Sequence, residues 1–242
     1  MNRKLSNTTW IFILLLLVTG PLRTLASQGV GGLMEDLISD LYALPGILIA
    51  LSFHEFGHAF VAQYWGDDTP GRDGRVTMDP RAHIDLMGLI SLFLLGFGWG
   101  RPVRINPQRF RSRRAGLITV GLAGVTMNLL MAFLSAGIIK VIHVLAPAFF
   151  TTAGGDILFR MLLNSVVINI SLMLFNLLPV PPLDGFNVIS EVFRLYQTKF
   201  YVFVRNNSYW ILLAMIVLNI PSILLSGPMA AILGLIFRIY GL

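Results

Sequence analysis

Long apolar stretches separated by short polar ones dominate the pattern of this 242-residue chain. A helix needs about 20 predominantly apolar residues to cross the hydrocarbon core of a bilayer. Stretches of that length or more predict membrane-spanning helices at residues 38–65, 115–145, 157–178 and 210–240. Asn219-Ile220-Pro221 and Gly227-Pro228 interrupt the last stretch. It is therefore either one kinked crossing or two short helices.

Two kinds of shorter element lie between these helices. Residues 86–97 are apolar but few and glycine-rich, which favours a re-entrant hairpin over a full crossing. Residues 75–79 and 99–105 contain polar and apolar side chains in alternation, as short strands do. The pattern predicts an all-α polytopic membrane protein of about five to six transmembrane segments. A small β element or the re-entrant hairpin is expected near the candidate site described below.

Residues 1–27 have two interpretations. A basic start, a short apolar run at residues 10–18 and the small residues Ala26 and Ser27 are typical of a secretory signal peptide. The same run could equally remain as a first transmembrane helix. Residues 28–37 are predicted to be a glycine-rich connection, and residues 28–242 are expected to form a single domain.

The composition supports the membrane assignment. Hydrophobic residues make up 55% of the chain and charged residues only 12%, whereas soluble domains carry about a quarter charged residues. The lipid bilayer is therefore the first expected partner. The chain contains no cysteine, so any metal site must use His, Asp, Glu or Asn side chains.

The net charge of +6 is explained by topology rather than by nucleic-acid binding. Six of the eighteen basic residues lie in one short loop, without interleaved aromatic residues or a recognisable nucleic-acid fold. Loops rich in Lys and Arg stay on the cytoplasmic side of a membrane. The helix predicted at 38–65 then enters from outside and ends in the cytoplasm. The six residues are Arg101, Arg104, Arg109, Arg111, Arg113 and Arg114.

Three ionisable residues lie together within one turn of the helix predicted at 38–65: His54, Glu55 and His58. Residues four apart share a helical face, so both imidazoles can bind one ion, and the glutamate between them can reach a water on that ion. Zinc in catalytic sites takes three protein ligands and acidifies such a water. The alternative is a set of hydrogen bonds inside the helix bundle. An apolar helix makes that alternative harder, because buried polar groups need partners.

A third zinc ligand must come from elsewhere in the chain. His83 and His143 are the remaining histidines, and Asp184 is the favoured candidate. Asp184 follows a Pro-rich segment after the helix at 157–178, where irregular backbone at membrane depth must line protein or a water-filled cavity. The alternative for Asp184 is an ordinary Asp-Gly turn.

These residues resemble the site-2 protease family of intramembrane zinc metalloproteases. The motifs are His54-Glu55-Phe56-Gly57-His58 and Asn176–Gly185, and the resemblance extends through residues 74–80, 83–85 and 97–103 in the family's order. The resemblance implies one Zn²⁺ per chain, ligands His54, His58 and Asp184, and Glu55 as the catalytic base. Asn128 also fits the family pattern, although Val125 stands where the family usually has proline. Its amide is expected to contact substrate or a developing oxyanion, or else to make a contact between helices.

The resemblance implies cleavage of a peptide bond in or near a transmembrane segment of a membrane-protein substrate. We expect a bacterial or archaeal cell membrane and an active site toward the cytoplasm. Control is expected from a regulatory membrane partner, from a prior cut in the substrate or from local gating. An unwound substrate would pair with an exposed strand edge near 75–79 or 99–105, or with the Pro-rich segment before Asp184. The alternative is that these strands only cover the cytoplasmic mouth of the site. The alternatives are a membrane metal-ion transporter and a non-catalytic scaffold of the same fold. Against them stand the absence of internal repeats and the complete ligand set.

Overall fold

The computed structural model describes residues 21–95 and 98–242, and in these ranges the chain is helical throughout its regular structure. Ten α-helices, separated by short loops and three 3₁₀ turns, are numbered here in chain order. They are α1 (Pro21–Tyr64), α2 (Thr69–Arg72), α3 (Pro80–His83), α4 (Leu86–Leu95), α5 (Arg113–Leu145), α6 (Ala153–Asn176), α7 (Asp184–Val192), α8 (Lys199–Asn206), α9 (Ser208–Val217) and α10 (Ile220–Tyr240).

Four of these helices are long and apolar enough to cross a membrane, namely α1, α5, α6 and α10. The pair α8 and α9, bent by 66°, makes a fifth if it is one broken span. The predicted all-α membrane protein is therefore confirmed for the described residues. Most of the predicted signal-like segment at residues 1–27 lies outside them, so the choice between a signal peptide and a first helix stays a prediction.

Two local predictions at the amino-terminal side need correction. Residues 28–37, predicted as a connection, belong to α1. The helix is broken at one of the glycines in this stretch, Gly29. The backbone there has φ +70°, a conformation that carries no steric penalty for glycine. Residues 86–95, predicted as part of a re-entrant hairpin, form one helix of 10 residues. This helix is too short to cross a bilayer, in agreement with the sequence prediction.

The predicted strands at 75–79 and 99–105 are not formed in the described residues, where a single antiparallel bridge joins Ile84 and Gly100. The backbone groups that a ladder would use have side-chain partners instead. The Thr77 carbonyl lies 2.7 Å from the His83 Nε2 atom, and the Val103 amide donates to a carboxylate. Alternation of polar and apolar residues therefore marks an extended segment here rather than a paired strand.

The described residues group into two compact units. The first comprises those up to Leu41 together with Ile84–Arg101, and holds α4 and the Ile84 bridge. The second comprises Tyr42–His83 and Pro102–Leu242. Every candidate site residue predicted above lies in the second unit.

The core of the second unit lies between α5, α6 and α10. Its buried side chains are small on α5 and β-branched or flexible on the other helices, which lets the helices approach closely. Ser135 and Ser165 also hydrogen-bond across α5 and α6 at 2.9 Å. The buried members are Val125, Ala132, Ala136, Val166, Ile170, Met173 and Ile236.

The carboxyl-terminal region resolves the alternative left open by its sequence. Residues 210–240 are two helices, α9 and α10, rather than one kinked crossing. Asn219 lies between them in the left-handed conformation, with φ +53°. Asparagine tolerates this conformation better than most residues, and Pro221 at the start of α10 cannot continue a preceding helix.

Candidate metal centre

His54 and His58 lie one turn apart on α1, and both are buried. Their Nε2 atoms are 3.0 Å apart, with the imidazole planes nearly perpendicular at 86°. The i, i+4 spacing thus brings two nitrogen atoms to one point. Gly57, between them, lies against the backbone of α5, where an added Cβ would come within 2.9 Å of the Ala123 oxygen. That close approach brings the histidines up to α5.

Asp184 meets both histidines at this point, although it is 126 residues beyond His58 in the sequence. Its Oδ2 atom lies 3.2 Å from each Nε2 atom. Asp184 begins α7 directly after the turn at 177–183. Gly185 sits so close to the Leu177 carbonyl that any Cβ would overlap it. The glycine of the Asp-Gly pair is therefore needed for space at this turn.

The hydrogen bonds on the other side of each imidazole decide where its proton lies. His58 Nδ1 is 2.7 Å from the Val120 carbonyl oxygen, which can only accept. His54 Nδ1 is 2.7 Å from Asn128 Oδ1, and the Asn128 orientation is set because its Nδ2 donates to the Ala50 carbonyl. Both Nδ1 atoms therefore carry the proton in a neutral imidazole. Both Nε2 atoms present a lone pair toward Asp184.

With both imidazoles neutral, three electron-pair donors thus face one another. Asp184 Oδ2 is buried and has no hydrogen-bond donor in the described residues. Two nitrogen atoms and one oxygen around a tetrahedral zinc ion are expected about 3.3 Å apart, close to the three observed separations of 3.0, 3.2 and 3.2 Å. The donor types and their spacing therefore fit a zinc ion. Among the described residues, this is the one cluster of His, Cys, Asp or Glu able to hold a metal.

Gly124 of α5 leaves the space beside the two imidazoles. A Cβ at this position would lie 2.6 Å from both His54 Cε1 and His58 Nε2, far inside ordinary contact distance. The neighbour that this glycine allows to approach is the pair of histidine rings.

Glu55 does not belong to the three-donor cluster. Its Oε2 atom accepts a hydrogen bond of 2.9 Å from the Val103 amide. Val103 lies in the extended segment 102–106, whose other end is held where Asp67 accepts from the Asn106 amide at 2.6 Å. The Glu55 carboxylate is thus oriented by main chain that follows the first compact unit in sequence.

Asp67 is a fully buried acid that anchors this extended segment. Burial disfavours the charged carboxylate and on its own would raise the pKa of Asp67. Hydrogen bonds from the Asn106 amide and from the amide and hydroxyl of Thr69 outweigh that effect and lower the pKa of Asp67. The anchor therefore stays ionised under ordinary conditions.

Asn128 lies beside this centre, fully buried on α5. Both protons of its amide are donated within the protein, to the Ala50 carbonyl and to Asn169 Oδ1, each at 3.0 Å. Its oxygen faces His54. In this arrangement Asn128 has no donor left for an oxyanion, and its contacts favour the orientation of His54.

The two other histidines lie apart from the cluster. His83 is fully buried, and its Nε2 atom lies 2.7 Å from the Thr77 carbonyl, which orders the loop before α3. His143 is exposed in the last turn of α5. Neither is one of the described residues that could share a metal with His54 and His58.

Sequence reasoning missed three contributors to the site: Val120, Val103 and Asn169. The first two act through backbone atoms, for which side-chain identity gives no signal. Asn169 had a signal, because a polar side chain in the middle of an apolar helix needs partners.

A helical membrane protein with a buried His-His-Asp donor set and a glutamate adjoining one histidine has the make-up of a membrane-embedded metalloprotease. Comparison with known sequences gives the same class. Residues 135–219, which include Asp184, match the model of peptidase family M50. The chain belongs to this family, the site-2 proteases, because it is also 36% identical to a relative with a matching name over 68% of that relative's length.

That relative is "Putative zinc metalloprotease YwhC" of Bacillus subtilis, 36% identical over 154 residues, which are 62% of this chain and 68% of the relative. "Putative zinc metalloprotease Rip2" of Mycobacterium tuberculosis is 31% identical over 157 residues, 62% of this chain and 57% of that protein. The Rip2 protein of Mycolicibacterium smegmatis is 29% identical over 189 residues, 74% of this chain and 69% of that protein. No solved structure matches the chain.

Proposed function

We propose that this protein is an intramembrane zinc metalloprotease that hydrolyses a peptide bond in or near a transmembrane segment of membrane-protein substrates. His54, His58 and Asp184 would hold one Zn²⁺ per chain, and Glu55 would be the general base. The observation that carries the proposal is the convergence of two Nε2 lone pairs and one buried carboxylate oxygen, with separations of 3.0 to 3.2 Å. Such a cluster needs a cation.

The bound zinc would supply an acidified water and a Lewis acid for the scissile carbonyl. Glu55 adjoins His54 on the same helix and is partly buried, so its carboxylate can take a proton from the attacking water and return it to the leaving amine. The Val103 amide holds one carboxylate oxygen and so sets the plane of the group. The histidines and Asp184 would remain as ligands throughout.

The depth of the site supports a membrane-embedded substrate. His58 lies about 9 Å from the end of α1 at Tyr64, given the helical rise. The Arg-rich loop before α5 lies beside this end of α1, because the Arg111 amide donates to the Trp65 carbonyl at 3.0 Å. We therefore propose a site on the cytoplasmic side of a bacterial or archaeal cell membrane.

Co-expression with candidate single-span membrane proteins tests this function. Wild-type protein is expected to cleave at least one of them, and Glu55→Gln is expected to abolish cleavage while retaining zinc, because Glu55 is not among the ligands. Zinc content is measured by elemental analysis of the purified protein. Substantial cleavage by Glu55→Gln would exclude Glu55 as the base.

The same preparations distinguish the alternatives. Asp184→Ala is expected to lower zinc content, and an unchanged content would remove Asp184 from the ligand set. Zinc flux into proteoliposomes without proteolysis would indicate a transporter. Zinc bound with neither cleavage nor flux would indicate a scaffold.

A further inference from the structure

A line of buried polar side chains leads from His54 into the bundle core, across α1, α5 and α6. His54 Nδ1 meets Asn128 Oδ1 at 2.7 Å, and Asn128 Nδ2 meets Asn169 Oδ1 at 3.0 Å. Asn169 Nδ2 meets the Ser165 carbonyl at 2.8 Å. Both asparagines are completely buried. Polar side chains at such depth are costly unless each one is satisfied.

The hydrogen bonds fix each amide in one orientation. The Ser165 carbonyl can only accept, so the nitrogen of Asn169 must face it and the oxygen must face Asn128. That oxygen takes one amide proton of Asn128, and the Ala50 carbonyl takes the other. The oxygen of Asn128 is then left for His54. Each donor therefore points the same way, from a proton on His54 Nδ1 through Asn128 and Asn169 to the Ser165 carbonyl.

We propose that Asn169 is a positioning residue for the metal centre, acting through Asn128 on the imidazole of His54. The inference rests on the proposed zinc site. With Asn169 in place, a flipped Asn128 would set its oxygen against two acceptors, the Ala50 carbonyl and Asn169 Oδ1. Without Asn169, one of these two restraints is lost, and Asn128 also keeps an unsatisfied buried proton.

The consequence concerns the Nε2 atom of His54. An Asn128 that presents its nitrogen to His54 would move the imidazole proton to Nε2, the atom that faces Asp184. A protonated Nε2 cannot bind a metal. Partners behind a metal-binding histidine typically change metal affinity by about 10- to 100-fold. Asn169 lies one hydrogen-bonded side chain further from the metal site, so we expect its loss to lower zinc affinity by about tenfold, the lower end of this range.

The test compares zinc affinity among full-length variants by competition with a chelator, with thermal unfolding measured in parallel. Asn169→Leu removes the acceptor and is expected to weaken zinc binding about tenfold. Asn169→Asp is expected to restore much of the affinity, because a protonated acid can accept from Asn128 and donate to Ser165. Should Asn169→Leu fail to fold, Asn169→Ser provides the same test, since its hydroxyl is too short to reach Asn128.

Ser135→Ala is the matched control. It deletes a buried hydrogen bond of 2.9 Å between the same two helices but leaves in place the hydrogen bonds that join Asn169 to Asn128 and to the Ser165 carbonyl, so unfolding should shift while zinc affinity does not. Equal affinity of Asn169→Leu and wild type would overturn the inference. Equal losses in Ser135→Ala and Asn169→Leu would reduce Asn169 to a packing contact. Absence of stoichiometric zinc from wild type would instead refute the proposed function.

Discussion

At the scale of single residues, the two histidines receive their orientation from different sources. His58 donates to a backbone carbonyl of Val120, and His54 donates to the side chain of Asn128. Both arrangements put a proton on Nδ1 and a lone pair on Nε2. The two proposed ligands would therefore already be oriented for an ion, and little reorganisation would be needed on binding.

Gly124→Ala tests how tightly the neighbouring helix fits this pair. The new methyl group would lie 2.6 Å from both imidazoles, and neither ring can retreat without breaking its Nδ1 hydrogen bond. We expect zinc retention against a chelator to fall roughly tenfold, as for other changes just behind metal ligands. Cleavage should fall with it.

Gly234→Ala is the control for this substitution. Gly234 is also helical, and an added Cβ there meets nothing within 4 Å. Zinc retention should be unchanged in this variant. A Gly124→Ala protein that holds zinc like wild type would show that the imidazoles have more freedom than their contacts indicate.

The site residues differ in how far the sequence could reveal them. His54 and His58 were predictable because their meeting depends only on helical spacing. Asp184 needs the chain to return after 126 residues, so side-chain chemistry alone left His83 open and the family resemblance was required. Val103 could not be predicted, because it acts through an amide that every residue except proline carries.

At the scale of elements, the extended segment 102–106 takes the place of the strand predicted there. Its amides donate to two acidic side chains, from Val103 to Glu55 and from Asn106 to Asp67. Both acids belong to α1 or the loop directly after it. The segment is thus held by hydrogen bonds to acidic side chains of α1 and the loop after it, rather than by backbone hydrogen bonds to a neighbouring strand.

Val103→Pro tests the contact to Glu55, because proline lacks the amide proton and suits extended backbone. A hydrogen bond to a charged group contributes about 1.5–3 kcal/mol, so its loss should lower the cleavage rate by roughly tenfold or more. Zinc content should not change, since Glu55 is not a ligand. Cleavage of a co-expressed substrate and elemental analysis provide the two readouts.

Val103→Ala is the matched variant, because it shortens the side chain and keeps the amide. It is expected to behave like wild type. If both variants cleave equally well, the amide does not orient the base. A faster Val103→Pro enzyme would show that the amide restrains Glu55 rather than positions it.

The elements show where the sequence pattern was informative. The spans of α5 and α6 were predicted to within a few residues, because apolar length alone specifies a membrane helix. The strand predictions failed because alternation describes side chains, whereas a strand also needs a partner edge. Neither segment finds one in the described residues beyond the isolated Ile84–Gly100 bridge.

At the scale of the whole molecule, orientation in the membrane determines which compartment the site faces. α5 has 33 residues, about 50 Å of helix, so its two ends lie on opposite sides of a bilayer. The basic loop precedes α5, and the turn at Pro147–Thr151 follows it. Because loops rich in Lys and Arg stay on the cytoplasmic side, we propose that the first end faces the cytoplasm.

Two single-cysteine variants test this orientation, because the chain has no cysteine of its own. Gln108→Cys and Ala148→Cys place exposed thiols before and after α5. A membrane-impermeant maleimide applied to intact spheroplasts should label Ala148→Cys, and Gln108→Cys only after lysis. The reverse pattern would place the active site on the outer side.

The polar line behind His54 also restricts how this protein can vary among its relatives. Its bonds all run in one direction, so replacing Asn128 or Asn169 alone leaves a neighbouring buried donor or acceptor without its partner. Positions 128 and 169 are therefore expected to covary. Position 120 carries no such linkage, because His58 requires only its backbone oxygen. The orientation of His54 thus depends on side chains from two other helices, whereas that of His58 depends on a backbone atom alone.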